Sequence, residues 1–494
     1  MRVQMCVCAV VAMPALGDIG PAAGFVEPGT RVLGVYDAQT PGEQFGAILR
    51  RLGDLNGDGV SEWTANGPFC DIPFENAGRV IIVDGATGVV AREHFGVEAQ
   101  NELSGPMRCD DLTGDGIPEY ALFSGPSATV GRAWIYNGDL SVPIEDAVIH
   151  TQTGVATDYH YFGENLGDIN GDGIGDLAWT AELGSTKSGQ TGWVRILSGA
   201  DPTVVLREHA GDAPGDRFGN MTGLMGDVNG NGVEDYWISA PQSDPPSTRG
   251  YARVYSGADG SQLCEALPNQ NTGAVLGFFY GFAMDDITGD GVKELFIPDT
   301  GDYRFGLETG RVFVYDVVNC ARVWQRSGSG AGQGFGIAHE YDADLTGDGV
   351  EELVVGSYLA SEGAANAGRV QVLNGADGSI LRTVTSTNAG EWFGADTTGV
   401  GDLDGDGVAD FGVAAPNATV AGPGSGRLYV IAGIPAGACS GIDLVPDGVL
   451  NTGDIDAFVA AFLARESPAD YTSDGVHNID DLDLFVEGFN AGCD

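Results

Sequence analysis

A nine-residue pattern, Asp-x-Asx/Thr-Gly-Asp/Asn-Gly-x-x-Asp/Glu, recurs seven times in this 494-residue chain and restricts its fold more than any other feature. The copies begin at Asp54, Asp111, Asp168, Asp227, Asp286, Asp344 and Asp402, with spacings of 57 to 59 residues. A period of that length means one supersecondary unit per copy, each burying an apolar face against its neighbours. Position 1 is always Asp and position 6 always Gly. Position 9 is always acidic: Glu62, Glu119, Asp176, Asp235, Glu294, Glu352 and Asp410. Position 3 carries Asn56, Asn170 and Asn229, then Thr113, Thr288 and Thr346, and is charged only at Asp404. Position 5 carries Asp58, Asp115, Asp172, Asp290, Asp348 and Asp406, with Asn231 as the exception.

Asp, Asn and Gly also build metal-free turns, but such turns do not require an acid at position 9 every time. Oxygens at 1, 3, 5 and 9 with glycine at 6 are what a hard cation needs, because calcium takes six to eight oxygens and the chain must turn sharply around it. The pattern therefore predicts up to seven Ca2+ sites. The loops hold 21 carboxylates, so seven divalent ions would offset +14 of the formal charge of −47 and leave −33. That charge argues against nucleic acid and against anionic membrane surfaces. Lys187 and Lys293 are the only lysines, and the other 21 basic residues are arginine. An acidic, lysine-poor surface suits salty water, and host compositional bias would produce it equally.

The flanks of each loop read as strands. An aromatic-glycine pair precedes position 1 at Phe45-Gly46, Phe218-Gly219, Phe335-Gly336 and Phe393-Gly394, and closer at Phe162-Gly163. The second and fifth copies are irregular, around Ser104-Gly105 and Phe278-Phe279. A short apolar run follows each loop, as at Leu353–Gly356. After a variable segment comes a glycine and an alternating run, such as Gly78-Arg-Val-Ile-Ile-Val83 or Gly368-Arg-Val-Gln-Val-Leu373. A glycine turn then leads to a fourth run such as Ile380–Val384. Period-2 runs bounded by glycine turns are strands, and four strands repeated seven times describe the blades of a propeller. The last copy lacks its fourth strand, while residues 30–36 form an unassigned one at the other end of the chain. Pairing the two closes the ring and leaves no open sheet edge between the ends. An open solenoid is the alternative, but it would need capping repeats that the sequence does not show.

Phe-Gly, the Asp-rich loop, and an apolar strand ending as in Ser239-Ala-Pro241 together resemble the FG-GAP repeat of integrin α-subunit propellers and their bacterial relatives, over roughly residues 30–435. The resemblance implies an all-β, seven-bladed ring with calcium loops between the first two strands of each blade. Ligands would engage the opposite face, built here from segments 64–77, 181–191, 241–249, 299–309 and 416–425. No integrin-type leg domains follow, so receptor function does not carry over.

Beyond Gly433 the design changes. Two segments 27 residues apart place ligand types at positions 1, 5, 9 and 12 with glycine at 6: Asp443, Asp447, Asn451 and Asp454, then Asp470, Asp474, Asn478 and Asp481. Thr472 adds a position-3 oxygen to the second, whereas Val445 weakens or empties the first. Each is followed by a helical run, Ile455–Ala464 and Leu482–Asn490, whose Phe458, Phe462, Phe485 and Phe489 read as a small core. The pair resembles a bacterial dockerin ending in Gly492-Cys493, which implies a helical EF-hand-like domain with one or two further calcium ions and attachment to a cohesin or envelope partner.

At the N-terminus, Arg2, the apolar run Val3–Ala12 and the small residues near Ala15 and Ala23 read as a secretory signal. The expected organisation is a signal over 1–23, a propeller over 24–435 and a dockerin-like module over 436–494, with the mature protein secreted or at the cell surface. No other stretch is apolar enough to span a membrane as a helix. Six cysteines then remain, Cys70, Cys109, Cys264, Cys320, Cys439 and Cys493, which permit three disulfides in fifteen arrangements, a Cys439–Cys493 clasp among them. No Gly-x-Ser-x-Gly, His-Glu-x-x-His or phosphate loop occurs, and catalytic candidates are confined to His160-Tyr161, His339-Glu340-Tyr341, and Tyr303, Arg304 and Glu308. The expected function is therefore a non-catalytic calcium-binding propeller that engages an extracellular protein or glycan and is tethered by its tail. An extracellular polysaccharide-active enzyme and a structural envelope component are the alternatives.

Overall fold

The computed structural model describes residues 24–27, 30–124, 131–153, 162–182, 191–241, 250–267, 276–277, 280–300, 309–330, 332–337, 344–347 and 349–434. In the tail it describes residues 444, 452–465, 469, 477–479, 481–482 and 485–486. The described chain forms seven four-stranded antiparallel sheets. Six are built from consecutive strands, the first being β2 (Leu49–Gly53), β3 (Glu62–Gly67), β4 (Arg79–Val83) and β5 (Val90–Phe95). The seventh runs β26 (Thr397–Gly401), β27 (Asp410–Ala415), β28 (Arg427–Ile431) and then β1 (Val32–Asp37), so the N-terminal strand completes the last blade, as the sequence predicts. Arg427 fastens that seam with two hydrogen bonds to Asp37, at 2.6 and 2.8 Å.

The core lies between blades. Leu33, Leu428 and Val430 of the seventh blade pack with Leu49, Trp63, Ile81 and Val83 of the first in one buried cluster, and equivalent clusters join the other blades. Burial of whole sheet faces at about 25 cal/mol per Å2 of apolar surface is the main term holding such a ring.

The aromatic-glycine pairs stitch neighbouring blades. Phe45, Phe218 and Phe393 each bridge to the glycine that opens the third strand of the preceding blade, Gly426, Gly192 and Gly368. The approach is so close that a methyl group on Gly426 would lie 2.3 Å from the Phe45 carbonyl oxygen. The same contact explains the irregular copies. Leu103 donates its N–H to Ala77 (2.9 Å) as Phe393 does to Ala367 (2.9 Å), so Leu takes the aromatic's place in the second blade. In the fifth, the equivalent pair is Leu276-Gly277, whose glycine N–H bonds Pro298 at 2.7 Å as Gly46 bonds Asn66. The sequence alone centres that copy two residues later, at Phe278-Phe279.

A further strap precedes β1. Phe25 packs edge-on against Phe393 and Tyr429, and Val26 donates to the Thr385 carbonyl at the edge of the sixth blade (2.9 Å). Glu27 accepts the Thr385 N–H at 2.6 Å, and its burial raises its pKa. Cys264 and Cys320 form a disulfide across the fourth and fifth blades, whereas Cys70 and Cys109 are free and buried, so these two thiols do not contribute to the three disulfides the sequence permits. Cys439 and Cys493 lie outside the described residues.

In the tail, α1 (Thr452–Ala464) covers the first expected helical run. Phe458 stacks on Phe485 with ring centroids 4.1 Å apart and clusters with Ala461, Ala469 and Phe462. These are three of the four aromatics expected in that core, while Phe489 lies outside the described residues.

Candidate metal centre

All seven Asp-rich loops connect the first and second strands of their blades, so they sit at one end of the ring. Each is organised by its own backbone. The position-1 Asp accepts the position-6 glycine N–H at 2.7 to 2.9 Å in all seven copies. The glycines at positions 4 and 6 take left-handed conformations throughout, for example φ 79° at Gly57 and 90° at Gly59, which explains why no other residue type appears there. A Cβ at either would meet nothing, so conformation and not space demands glycine.

Position 9 is different in kind. Its carboxylate is buried in every copy, because in five blades it is the first residue of the second strand and in the other two it lies just before it. There it accepts the position-2 N–H, at 2.5 Å for Leu55 to Glu62 and 2.7 Å for Leu403 to Asp410. The shorter Asp side chains take a second N–H from the far turn of the blade, Gly199 to Asp176, Gly257 to Asp235 and Gly433 to Asp410. Several position-3 side chains also point at this acid: Asn56 at 3.0 Å from Glu62, Thr113 at 3.2 Å from Glu119, and Asn170 at 3.0 Å from Asp176. Burial pushes these acids above the usual carboxylate range, Glu62 and Asp410 to about 7 and Asp176 to about 6, with Glu119, Asp235 and Glu294 raised in the same direction. Neighbouring loop carboxylates add to the rise, while the backbone donors oppose it.

Among the described residues, four groups of three carboxylates come within 4.8 Å of one another: Asp58, Glu62 and Asp84; Asp111, Asp115 and Glu119; Asp286, Asp290 and Glu294; Asp402, Asp404 and Asp410. Calcium–oxygen bonds of 2.3–2.6 Å place opposite ligands roughly 5 Å apart, so the spacing and the all-oxygen donor set are of the kind a calcium ion takes. The loop at Asp168, Asp172 and Asp176 keeps the hydrogen bonds but does not draw three carboxylates so close, and that at Asp227, Asn229, Asn231 and Asp235 has only two. In the sixth loop Asp344, Thr346 and Glu352 share the common hydrogen bonds, while Asp348 lies outside the described residues.

Asp84 is a residue the loop pattern does not reveal. It begins the β4–β5 turn, lies 3.2 Å from the Asn56 amide, and joins Asp58 and Glu62 from a different hairpin. Asn137 occupies the corresponding place in the second blade, 3.4 Å from Asp115. A signal existed in the sequence, since Asp84 and Asn137 both follow the third strand directly.

The segments between second and third strands leave from the other end of the ring. At the same end the connection from β1 to β2 is braced by a buried acid, Glu43, which accepts the N–H groups of Gln39 (2.7 Å) and Thr40 (2.9 Å) and the Arg79 guanidinium (3.2 Å) at the start of β4. The catalytic candidates His160, Tyr161, His339, Glu340, Tyr341, Tyr303, Arg304 and Glu308 lie outside the described residues. So do the tail ligands Asp443, Asp447, Asn451, Asp470, Thr472 and Asp474, and the side chain of Asp454. Of that set Asp481 is buried and accepts the Asn478 N–H at 2.9 Å. Among the described residues no helix is long and apolar enough to cross a membrane.

The chain is similar to integrin alpha chains. It is 27% identical to integrin alpha-5 of Xenopus laevis over 218 residues, 40% of this chain and 20% of that protein. It is 31% identical to integrin alpha-PS2 of Drosophila melanogaster over 170 residues, 32% of this chain and 12% of that protein. This chain thus matches only a fifth or less of the length of these relatives. No family model matches. Among solved structures, BBS1N in complex with ARL6DN aligns over 82% of this chain with a TM-score of 0.48 and 12% identity. Sequence likeness and seven blades together support an FG-GAP, integrin-alpha-like propeller.

Proposed function

We propose that this protein is a secreted, non-catalytic binding propeller whose seven-loop face is stiffened by calcium and whose opposite face engages a protein or glycan ligand. The observation that carries the reading is the division of the ring. One end repeats a single oxygen-rich loop seven times, and the other carries segments that differ from blade to blade. Calcium, when bound, supplies a cross-link between the two strands that each loop connects. The chain's own part is to hold the oxygens: the position-1 Asp fixes the turn, and the buried position-9 acid ties it to the second strand. The tail is proposed to be a dockerin-like module with one or two further calcium ions that tethers the propeller to a cohesin-like or envelope partner.

The test captures partners from envelope and secreted fractions with the full mature chain and with a chain ending at Gly433, each in calcium and in chelator. The ring is complete at Ile431, so the shorter chain retains every blade. Calcium-dependent capture by the ring alone is expected for a ligand of the variable face, and tail-dependent capture for the tether. Capture by neither, or capture unchanged by chelator in both, refutes the reading.

A further inference from the structure

The seventh loop is the only one with Asp at position 3, so it carries four carboxylates, Asp402, Asp404, Asp406 and Asp410. It is also met by a cation of the chain's own. The Arg31 guanidinium lies 2.9 Å from Asp404 and 4.0 Å from Asp406. Asp404 is at the same time one of the three carboxylates that converge within 4.8 Å, with Asp402 and Asp410. One carboxylate therefore faces two positive partners, an arginine and the place where a metal ion fits.

We propose that Arg31 competes with calcium for the seventh loop and makes it the loop that fills at a higher free calcium than its charge alone would set. The inference rests on the calcium reading of the loops. Three observations make the competition reversible. The Arg31 main chain is fixed, since its carbonyl accepts the Ala432 N–H at 3.1 Å, so only the side chain need leave. That side chain is 35% exposed and can swing into water on four rotatable bonds. The pair is partly solvated from the arginine side, with Arg31 35%, Asp404 15% and Asp406 22% exposed, so water can reach the contact as the arginine leaves. A guanidinium paired with a ligand carboxylate offsets that group's charge and repels an incoming cation, which lowers affinity without removing the site. Because Arg31 immediately precedes β1, filling this loop also releases a charged anchor beside the strand that closes the ring.

The experiment counts bound calcium by native mass spectrometry on the full mature chain across a series of free calcium concentrations, for wild type, Arg31→Gln and Arg31→Lys. The expected result is one additional ion on Arg31→Gln over a range of calcium in which wild type lacks it, equivalent to at least tenfold tighter binding at one site. Asp402→Asn placed on Arg31→Gln should remove that ion again, which assigns it to the seventh loop. If Arg31→Gln does not fold, Arg31→Lys carries the test: it keeps a charge but loses the planar fork, and its extra ion should appear at an intermediate concentration. Equal counts in all forms at every concentration overturn the competition while leaving the calcium reading intact. No bound ion in any form overturns both.

Discussion

The first and seventh loops share one consensus and one backbone, yet their surroundings pull in opposite directions. In the first, Asp84 arrives from the neighbouring turn and adds a carboxylate to Asp58 and Glu62. In the seventh, the corresponding position is Ala432, the extra acid is Asp404 within the loop, and Arg31 arrives to offset it. The repeat sets the backbone of the loop, while residues outside the repeat set the charge that surrounds it.

The largest effect should come from the element the two loops have in common. Glu62→Ala or Asp410→Ala removes a buried acceptor, strands the Leu55 or Leu403 N–H, and deletes a ligand. Each should cost about 3 kcal/mol in urea unfolding with saturating calcium. A loss below about 1 kcal/mol would show that position 9 is not the keystone of the loop. Next in size is metal removal. Ions bound only by the folded chain stabilise it by mass action, about 2.7 kcal/mol for a site at one hundred times its Kd. Chelator at low ionic strength should lower the Tm by several degrees, and an unchanged Tm would refute the metal assignment.

A third prediction concerns pH. In the metal-free protein, Glu62 and Asp410 titrate near 7, above their ordinary values of 4.5 and 3.8, because burial disfavours the charged form. The folded state then binds more protons than the unfolded one between those values, so these groups destabilise the metal-free chain as pH rises from about 4 through 7. Calcium requires the ionised form. The calcium-dependent increment in Tm should therefore shrink steadily from pH 8 to pH 5.5. An increment independent of pH would separate these acids from the metal. His94 and His209, held by burial at about 3 and about 4, act on total stability in the opposite sense, since neutral histidine must be charged as the chain unfolds in acid. The increment, not the raw Tm, is the quantity to follow. The smallest effect separates the two loops directly: Asp84→Asn should weaken the first-blade site about tenfold, the order expected when one ligand charge is lost. The wild-type seventh blade, with Ala432 in that place, is insensitive to this contribution.

Much of this architecture was legible in the sequence because it is periodic. Strands of period 2, glycine turns and a 57- to 59-residue repeat give seven blades, and the unpaired run at residues 30–36 gives their closure. What was not legible depends on contacts the period does not encode. Leu276-Gly277 replaces an aromatic pair because the position needs a tight glycine and any apolar partner, not phenylalanine as such. Asp84 acts across a hairpin, and Arg31 across more than 370 residues of chain, so neither falls within a loop's own window. The burial of position 9 follows from its place at the head of a strand, which the loop consensus alone treats as one ligand among four.

The order of the seventh blade bears on how the protein is made. Strand β1 is the first to leave the ribosome, and its partner β28 is the last of the ring, 390 residues later at the Asp37–Arg427 seam. At about 5–20 residues per second, synthesis leaves Val32-Leu-Gly-Val-Tyr36 as an unpaired apolar edge for roughly 20 to 80 seconds. The pairing that seals the ring is thus among the last the growing chain can make, and the backbone groups of β1 that face β28 wait for it without that partner.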